Sequence, residues 1–465
     1  MSRTGDRASG PLLPGDKKGE SRYNSCMAEV AIIGAGLAGS EAALQLARRG
    51  VRVTLYEMRP AQMTPAHKTG LCAELVCSNS LKSKEPGTAA GTLKDELDLL
   101  GCCLLPLARK HAVAAGAALA VDRDAFATAV TGALDADPLI TRCQREVREL
   151  DRDRLTLIAA GPLASDALSA ELSALIGSDC LAFYDAAAPI VSAESLDTGR
   201  LFAASRRGKG GSDYLNSAFN PAEYERFYQA LVGAQRVIAR GFERRELFAA
   251  CQPVEEVART GPDALRYGAL KPVGVDDPRT GRWPYALAQL RAENARRSAY
   301  NLVGFQTNLT FPEQRRVFSL IPGLERAEFI RYGVMHRNTF LDAPRVLAPD
   351  LSLKAAPKLY VAGQLMGTEG YLEAVTGGLL AALMITARLR QIRPPELAPA
   401  TTTIGALFRY ATDPLTINYQ PMHVNYGLIE PLNPHPRNKQ ERYRAYHERA
   451  LADLGQWRRA HEELF

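Results

Sequence analysis

From residue 28 the chain alternates short apolar runs with amphipathic stretches, the rhythm of a parallel sheet covered by helices. AEVAIIGAG (28–36) reads as a strand buried on both faces and ends in a glycine turn. GSEAALQLARRG (39–50) carries apolar positions at helical spacing and closes on Gly50. VRVTLYE (51–57) is a second strand, completing a β-α-β unit of about thirty residues. LTLIAAG (155–161) and KLYVAGQ (358–364) repeat the buried-strand pattern, and the latter feeds the apolar helix AVTGGLLAALMITARL (374–389). Between them the character changes: charged helices such as PAEYERFYQALVGAQRVIAR (221–240) mix with Gly/Pro-rich stretches such as KPVGVDDPRTGRWP (271–284). Strands that feed helices near both ends of the chain, around a different middle, predict an α/β architecture. The expectation is a discontinuous Rossmann-type, glutathione-reductase-like domain made of 27–185 and 336–465, with an inserted α+β domain at 186–335. Residues 1–26 are polar and without periodicity, which predicts a disordered tail. The segment from Asn433 onward is basic and helical in pattern.

Composition narrows the class. Of the 465 residues 46 % are apolar and 23 % charged, the ordinary globular mixture. No run approaches the ~20 apolar residues of a membrane span, and the N-terminus has no apolar leader, so a cytoplasmic protein is expected. The eight cysteines miss the paired spacing of zinc sites and do not suggest a disulfide scaffold. No metal is therefore expected. The formal net charge of +6 permits a polyanionic partner without requiring one.

Gly34-Ala35-Gly36-Leu37-Ala38-Gly39 fits G-x-G-x-x-G and sits between strand and helix. Gly34 permits the tight turn, Gly36 lets the backbone approach a pyrophosphate, and Gly39 lets the helix pack on the strand. Glu57 ends the second strand, 18 residues after Gly39, where a carboxylate can accept hydrogen bonds from ribose hydroxyls. The late segment KLYVAGQLMGTEGYLEAVTGG (358–378) would bring a second loop and helix start to the same sheet, which favours FAD over NAD as the bound dinucleotide. Gly363, Gln364 and Gly370 suit close backbone approach there. Tyr371 is placed to stack on a flavin or flat substrate, with a core tyrosine as the alternative.

Two cysteines stand in chemically suggestive surroundings. Cys77 precedes Ser-Asn-Ser, residues that cap turns, and Lys82 and Lys84 follow. Cys251 precedes Gln-Pro, as at a loop or strand end. For either alone, an inert buried thiol competes with a reactive one. The C-x4-C spacing of Cys72 and Cys77 matches a redox disulfide of glutathione-reductase-type enzymes. Those enzymes need a second glycine-rich nucleotide motif, and none occurs between 160 and 330.

AELVCSNSLKS (73–83), YDAAAPIV (184–191), CQPVEE (251–256), ALKPVGVDDPRTGRWPYALAQLRAEN (269–294), YGVMHRNTF (332–340), LYVAGQLMGTEGYLEAVTGG (359–378) and YQPMHVNYGL (419–428) occur in that order. Together with the glycine motif they resemble the bacterial folate- and FAD-dependent tRNA uracil C5-methyltransferases, over nearly the whole ordered chain. The resemblance implies 5,10-methylenetetrahydrofolate as carbon donor, FAD reduced by NADPH or NADH, and a uridine in the T arm of tRNA as acceptor. It further implies that Cys77 and Cys251 are catalytic and that Tyr371 lies beside the flavin. Ser217 and Phe219 stand where such proteins usually carry Cys and Met, and Cys72 where they carry an aromatic residue.

The implied chemistry accounts for two cysteines. Carbon 5 of uracil is a poor nucleophile until a thiolate adds at carbon 6, and its proton must afterwards be removed. Cys251 is expected to be the nucleophile and Cys77 the acid/base, with the reverse assignment open. Arginines 236, 240, 244, 245, 291, 296, 297, 315 and 316, with Arg437, Lys439, Arg442 and Arg444, are candidates to grip RNA phosphates. A uridine of ribosomal RNA and a non-methylating RNA-binding flavoprotein remain the alternative readings. Oligomeric state is not legible.

Overall fold

The computed structural model describes residues 29–176, 181–186, 188–208, 211, 213–237, 252–292, 297, 299–333, 335–416, 419, 421–434 and 436–465. The expected tail at 1–26 lies outside them, as does Cys251. The principal sheet has six strands in the order 352–353, 356–361, 156–158, β1 (Glu29–Ile33), β2 (Arg52–Glu57) and 140–144. All neighbours run parallel except the edge strand Ser352–Leu353. The strand Ala356–Val361 thus lies beside Thr156–Ile158, so the late segment returns to the sheet that the N-terminal half begins. This is a Rossmann-type fold.

Helix α1 (Leu37–Ala47) covers this sheet, and the helix Tyr371–Leu389 crosses it at very short range. Gly378 makes the approach possible, because a Cβ there would stand 2.1 Å from the Ala38 carbonyl oxygen. Gly39 plays the same part lower down, where a Cβ would lie 1.9 Å from the Gly34 oxygen. Tyr371–Leu389 is 19 residues long with a mean hydropathy of 1.5, enough by length and composition to cross a membrane. Its apolarity has another cause: 89 % of that window is buried inside the fold.

The second sheet takes all its strands from residues 190–331, in the order 201–204, 214–219, 286–292, 299–302, 190–192, 329–331. Every pair is antiparallel. The helix Pro221–Val232 packs on it, started by a capping box between Asn220 and Glu223. The helical pattern read over 221–240 stops early, at the Gly233 cap. Phe219, Phe227, Phe305 and Phe318 fill this second core, with ring centroids 5.5–6.2 Å apart. An antiparallel ribbon, Leu181–Ala186 with Met335–Phe340, carries the chain out and back. A small third sheet (Ser80–Ser83, Ala118–Val121, Ala112–Val113) escaped the sequence reading, because strands of two to four residues show no alternation.

Two glycine substitutions separate these constraints. Gly378→Ala is expected to destabilise the chain by about 1–3 kcal/mol through overpacking against α1. Gly132→Ala, on an exposed face of the helix Arg123–Ala136 with nothing within 4 Å, should stabilise it by about 0.5–1 kcal/mol. Denaturant midpoints of the two variants shifting the same way would contradict this account of the packing.

Candidate active site

The glycine turn and the late loop open onto one cavity. Gly34, Gly36, Leu37, Ala38 and Glu57 line it together with Gly363, Gln364 and Tyr371. Gly34 has φ +102°, a conformation that favours glycine. α1 starts at Gly36 with no side-chain cap and no acidic residue in its first turn, which leaves its N–H groups and positive end for a ligand. A Cβ on Gly36 would project into open space, whereas Gly34 and Gly39 are closed in by backbone. The space before Gly36 is thus a cradle that fits a dinucleotide pyrophosphate. Ala35, Gly39 and Gly370 do not line the cavity; they shape its walls.

Glu57 is more committed than its spacing implied. Its Oε2 accepts from the Ala35 N–H at 3.0 Å and from Arg59 Nη2 at 3.1 Å. Its Oε1 accepts from the Arg59 N–H at 3.1 Å and Nε at 2.9 Å. Burial works to raise its pKa, but the Arg59 bonds and charge outweigh this and hold the carboxyl below its ordinary value. These four donors occupy its lone-pair positions. A ribose hydroxyl that binds Glu57 must share or displace one of them, and Arg59 becomes part of the site.

At the other side, Gly363 has φ +76° and Gln364 donates to Glu369 Oε1 at 2.9 Å. Gly370, φ +121°, precedes the long helix; a Cβ there would meet Glu373 Oε2 at 2.1 Å and Lys82 Nζ at 2.8 Å. Lys82 pairs with the buried Glu373 at 2.6 Å. Glu373 Oε1 also accepts from the Val424 N–H at 3.2 Å, while Oε2 has no hydrogen-bond partner.

Tyr371 joins this cavity to the first cysteine. Its hydroxyl oxygen accepts from the Cys77 N–H at 2.9 Å and the Ser78 N–H at 3.0 Å. Burial pushes its pKa up, so it remains a phenol. The same loop is gripped by three arginines. Arg123 donates to the carbonyls of Leu75 and Val76 at 2.7 and 3.3 Å. Arg331 approaches the Cys77 carbonyl at 3.5 Å. Arg291, 6 % exposed, donates to Asn79 Oδ1 at 2.7 Å and Ser78 Oγ at 2.8 Å. Asn79 in turn donates to the carbonyls of Val121 and Ala292 at 3.0 and 2.9 Å. The guanidinium groups of Arg123, Arg291 and Arg331 thus flank the loop that carries Cys77. Lys68 shows the crowding: its pKa is lowered by burial and by the charges of Arg331 and Arg123.

The other thiols are placed differently. Cys72 is fully buried and burial raises its pKa. It and Cys77 are both free thiols, so they form no redox disulfide here. Burial, then the Glu41 charge, pushes Cys103 up to about 11. Cys251 lies outside the described residues; the described chain resumes at Gln252 and enters the helix Val254–Arg259. Ser217 donates to the Pro322 carbonyl at 2.6 Å, and Phe219 belongs to the second core. Of the arginines read as RNA contacts, Arg291 is buried and bound to the Cys77 loop instead. Arg236 and Arg316 are paired with Glu256 and Glu313, and Arg315 donates to the Tyr332 hydroxyl. Arg240, Arg244, Arg245 and Arg296 lie outside the described residues. No cluster among the described residues could hold a metal ion.

The profile of the family described as Glucose inhibited division protein A matches residues 29–393. A protein of Desulforudis audaxviator named methylenetetrahydrofolate–tRNA-(uracil-5-)-methyltransferase TrmFO is 52 % identical over 92 % of this chain and 98 % of its own length. A protein of the same name from Symbiobacterium thermophilum is 51 % identical over 93 % of this chain and 97 % of its own. The solved structure of Aquifex aeolicus GidA superposes with a TM-score of 0.68 at 17 % identity, covering 93 % of this chain and 73 % of that one, which speaks for the fold. With half its residues shared over nearly the full length of such relatives, the chain belongs to the family of methylenetetrahydrofolate–tRNA-(uracil-5-)-methyltransferases.

Proposed function

We propose that this protein methylates carbon 5 of a uridine in the T loop of tRNA, taking the carbon from 5,10-methylenetetrahydrofolate. The observation that carries the reading is the Tyr371 hydroxyl bound to the Cys77 and Ser78 N–H groups, which puts a cysteine loop beside a dinucleotide cavity. FAD fits that cavity. Gly34, Gly36, Leu37 and Ala38 would hold its pyrophosphate, the Glu57–Arg59 pair its ribose, and Gly363, Gln364 and Tyr371 its far end. When bound and reduced by NADPH or NADH, it supplies the two electrons that turn a methylene into a methyl group.

The thiols do the rest. The Cys251 thiolate adds to carbon 6 of the uracil, and carbon 5 gains the electron density to bond the folate methylene. Cys77 then takes the proton from carbon 5 as the folate nitrogen leaves the new methylene; that carbon gains a hydride equivalent from the reductant, and the sulfur of Cys251 leaves as the ring double bond re-forms. Arg291, Arg331 and Arg123 hold the Cys77 loop in place. The uridine must leave its stack to reach these groups.

Two experiments bear on this. Cys251→Ala is expected to abolish the covalent adduct with tRNA containing 5-fluorouracil, while Cys77→Ala still forms that adduct but fails to turn over unfluorinated tRNA. An adduct kept by Cys251→Ala and lost in Cys77→Ala reverses the two roles, and transfer of label to ribosomal RNA alone replaces the substrate. Arg291→Met should lower turnover by about 10- to 100-fold through misplacement of the Cys77 loop, with FAD content unchanged. Wild-type turnover in that variant would show that the clamp does not serve the chemistry.

A further inference from the structure

We infer that the second domain carries a phosphate-binding pocket for the RNA strand, formed by Arg206, Arg207 and Lys271. The inference rests on the activity proposed above. Two cavities, of about 420 and 470 Å³, share Arg206, Lys271 and Gln289 in their walls and so run on from each other. The first includes Ser83, at the end of the strand that leaves the Cys77 loop. The second includes Gln252, the residue after Cys251. The combined hollow therefore touches the chain six residues after Cys77 and one residue after Cys251.

Its walls are built for an anion. Arg206 donates to Gln289 Oε1 and to the Val273 carbonyl, both at 2.8 Å, and burial lowers its pKa. Among the described residues no carboxylate pairs with Arg206, Arg207 or Lys271. Asp213 accepts from the N–H of the lining residue Gly116. Ser205, 9 % exposed and lining the first cavity, has a hydroxyl with no hydrogen-bond partner. A buried polar group left unpaired, beside guanidinium groups with unused donors, is the signature of a missing acceptor. Arg207 also sits at φ +56°, outside the usual range for a long side chain. Its N–H donates to the Gly274 carbonyl at 2.7 Å, and a Cβ at Gly274 would stand 3.0 Å from Arg207 Cγ. The fold thus maintains a strained residue at the rim of an anion-sized hollow.

A phosphodiester of the RNA fits better than a free small anion. A uridine presented to the thiols brings its own flanking phosphates to within a nucleotide's length of them. Tyr267, next to the lining Gly268, is 83 % exposed and offers a ring on which a neighbouring base can stack. The carboxylates of a folate tail are the competing source of negative charge.

The test uses the full chain with bound FAD. Binding of a T-arm transcript is measured from 50 to 200 mM KCl for Lys271→Ala and Arg207→Ala, with Lys271→Arg as the charge-preserving control. Each Ala variant should weaken binding about tenfold and reduce the slope of log K against log salt by roughly 0.7–0.9 per lost contact, while Lys271→Arg restores both and the folate KM stays put. Unchanged affinity and slope would overturn the pocket; so would a raised folate KM with RNA binding intact, which reassigns it to the folate tail. Lys271 is exposed, so its variants decide the matter if Arg207→Ala fails to fold. Binding slopes are read without turnover. Failure of the wild type to methylate the transcript would therefore remove the proposed activity and leave the pocket to be judged separately.

Discussion

One phenolic oxygen holds the site together. Tyr371 opens the longest buried helix of the first domain, and its hydroxyl receives the N–H groups of Cys77 and Ser78. Each such bond contributes only about 0.5–1.5 kcal/mol net, so its importance is positional. Helix Tyr371–Leu389 cannot shift without moving the cysteine loop, because Gly378 seats it against α1 with no slack. α1 in turn starts at Gly36, where the dinucleotide cradle lies. Packing of one helix on another thereby fixes the distance between the cofactor cavity and a thiol.

The antiparallel sheet adds electrostatics to this rigid frame. Arg291 belongs to the antiparallel sheet, yet its guanidinium is spent on Ser78 and Asn79 of the first domain. A buried cation of this kind costs desolvation unless its donors are matched, and Asn79 matches it while also bonding the Ala292 carbonyl beside it. The reciprocal arrangement ties the Cys77 loop to the strand Ala286–Ala292. Arg331 reaches the same loop from the edge strand of that sheet.

The frame was legible in the sequence because it is local or periodic. AEVAIIGAG, α1 and VRVTLYE announce themselves by apolar runs and a glycine turn, and KLYVAGQ gives away the return to the sheet. The clamp was not legible. Arg291, read as one of many phosphate-gripping arginines, sits more than two hundred residues from Asn79, and only the sheet register shows that its side chain is committed. Arg59 was overlooked for the opposite reason: it lies two residues from Glu57, and nothing in its spacing foretold that it would fill the carboxylate. The reading of 221–240 as one helix failed at Gly233, a stop signal outweighed by the charged pattern around it.

The same long-range logic explains why the insertion is a sheet with an uneven share of charge. Strand Ala286–Ala292 is buried along its whole length, yet it carries Gln289 and Arg291 among apolar neighbours. Both face partners rather than solvent: Gln289 bonds Asn216 and Arg206, and Arg291 bonds the cysteine loop. Polar residues buried at this depth are tolerated only when fully matched, which makes the strand a poor place for drift and a good place to set geometry. From one strand, two residues apart and therefore on one face, the chain positions the Cys77 loop through Arg291 and the basic hollow through Gln289. A shift in the register of that strand would displace both at once, so the reacting loop and the proposed seat for the RNA backbone are held to a common reference.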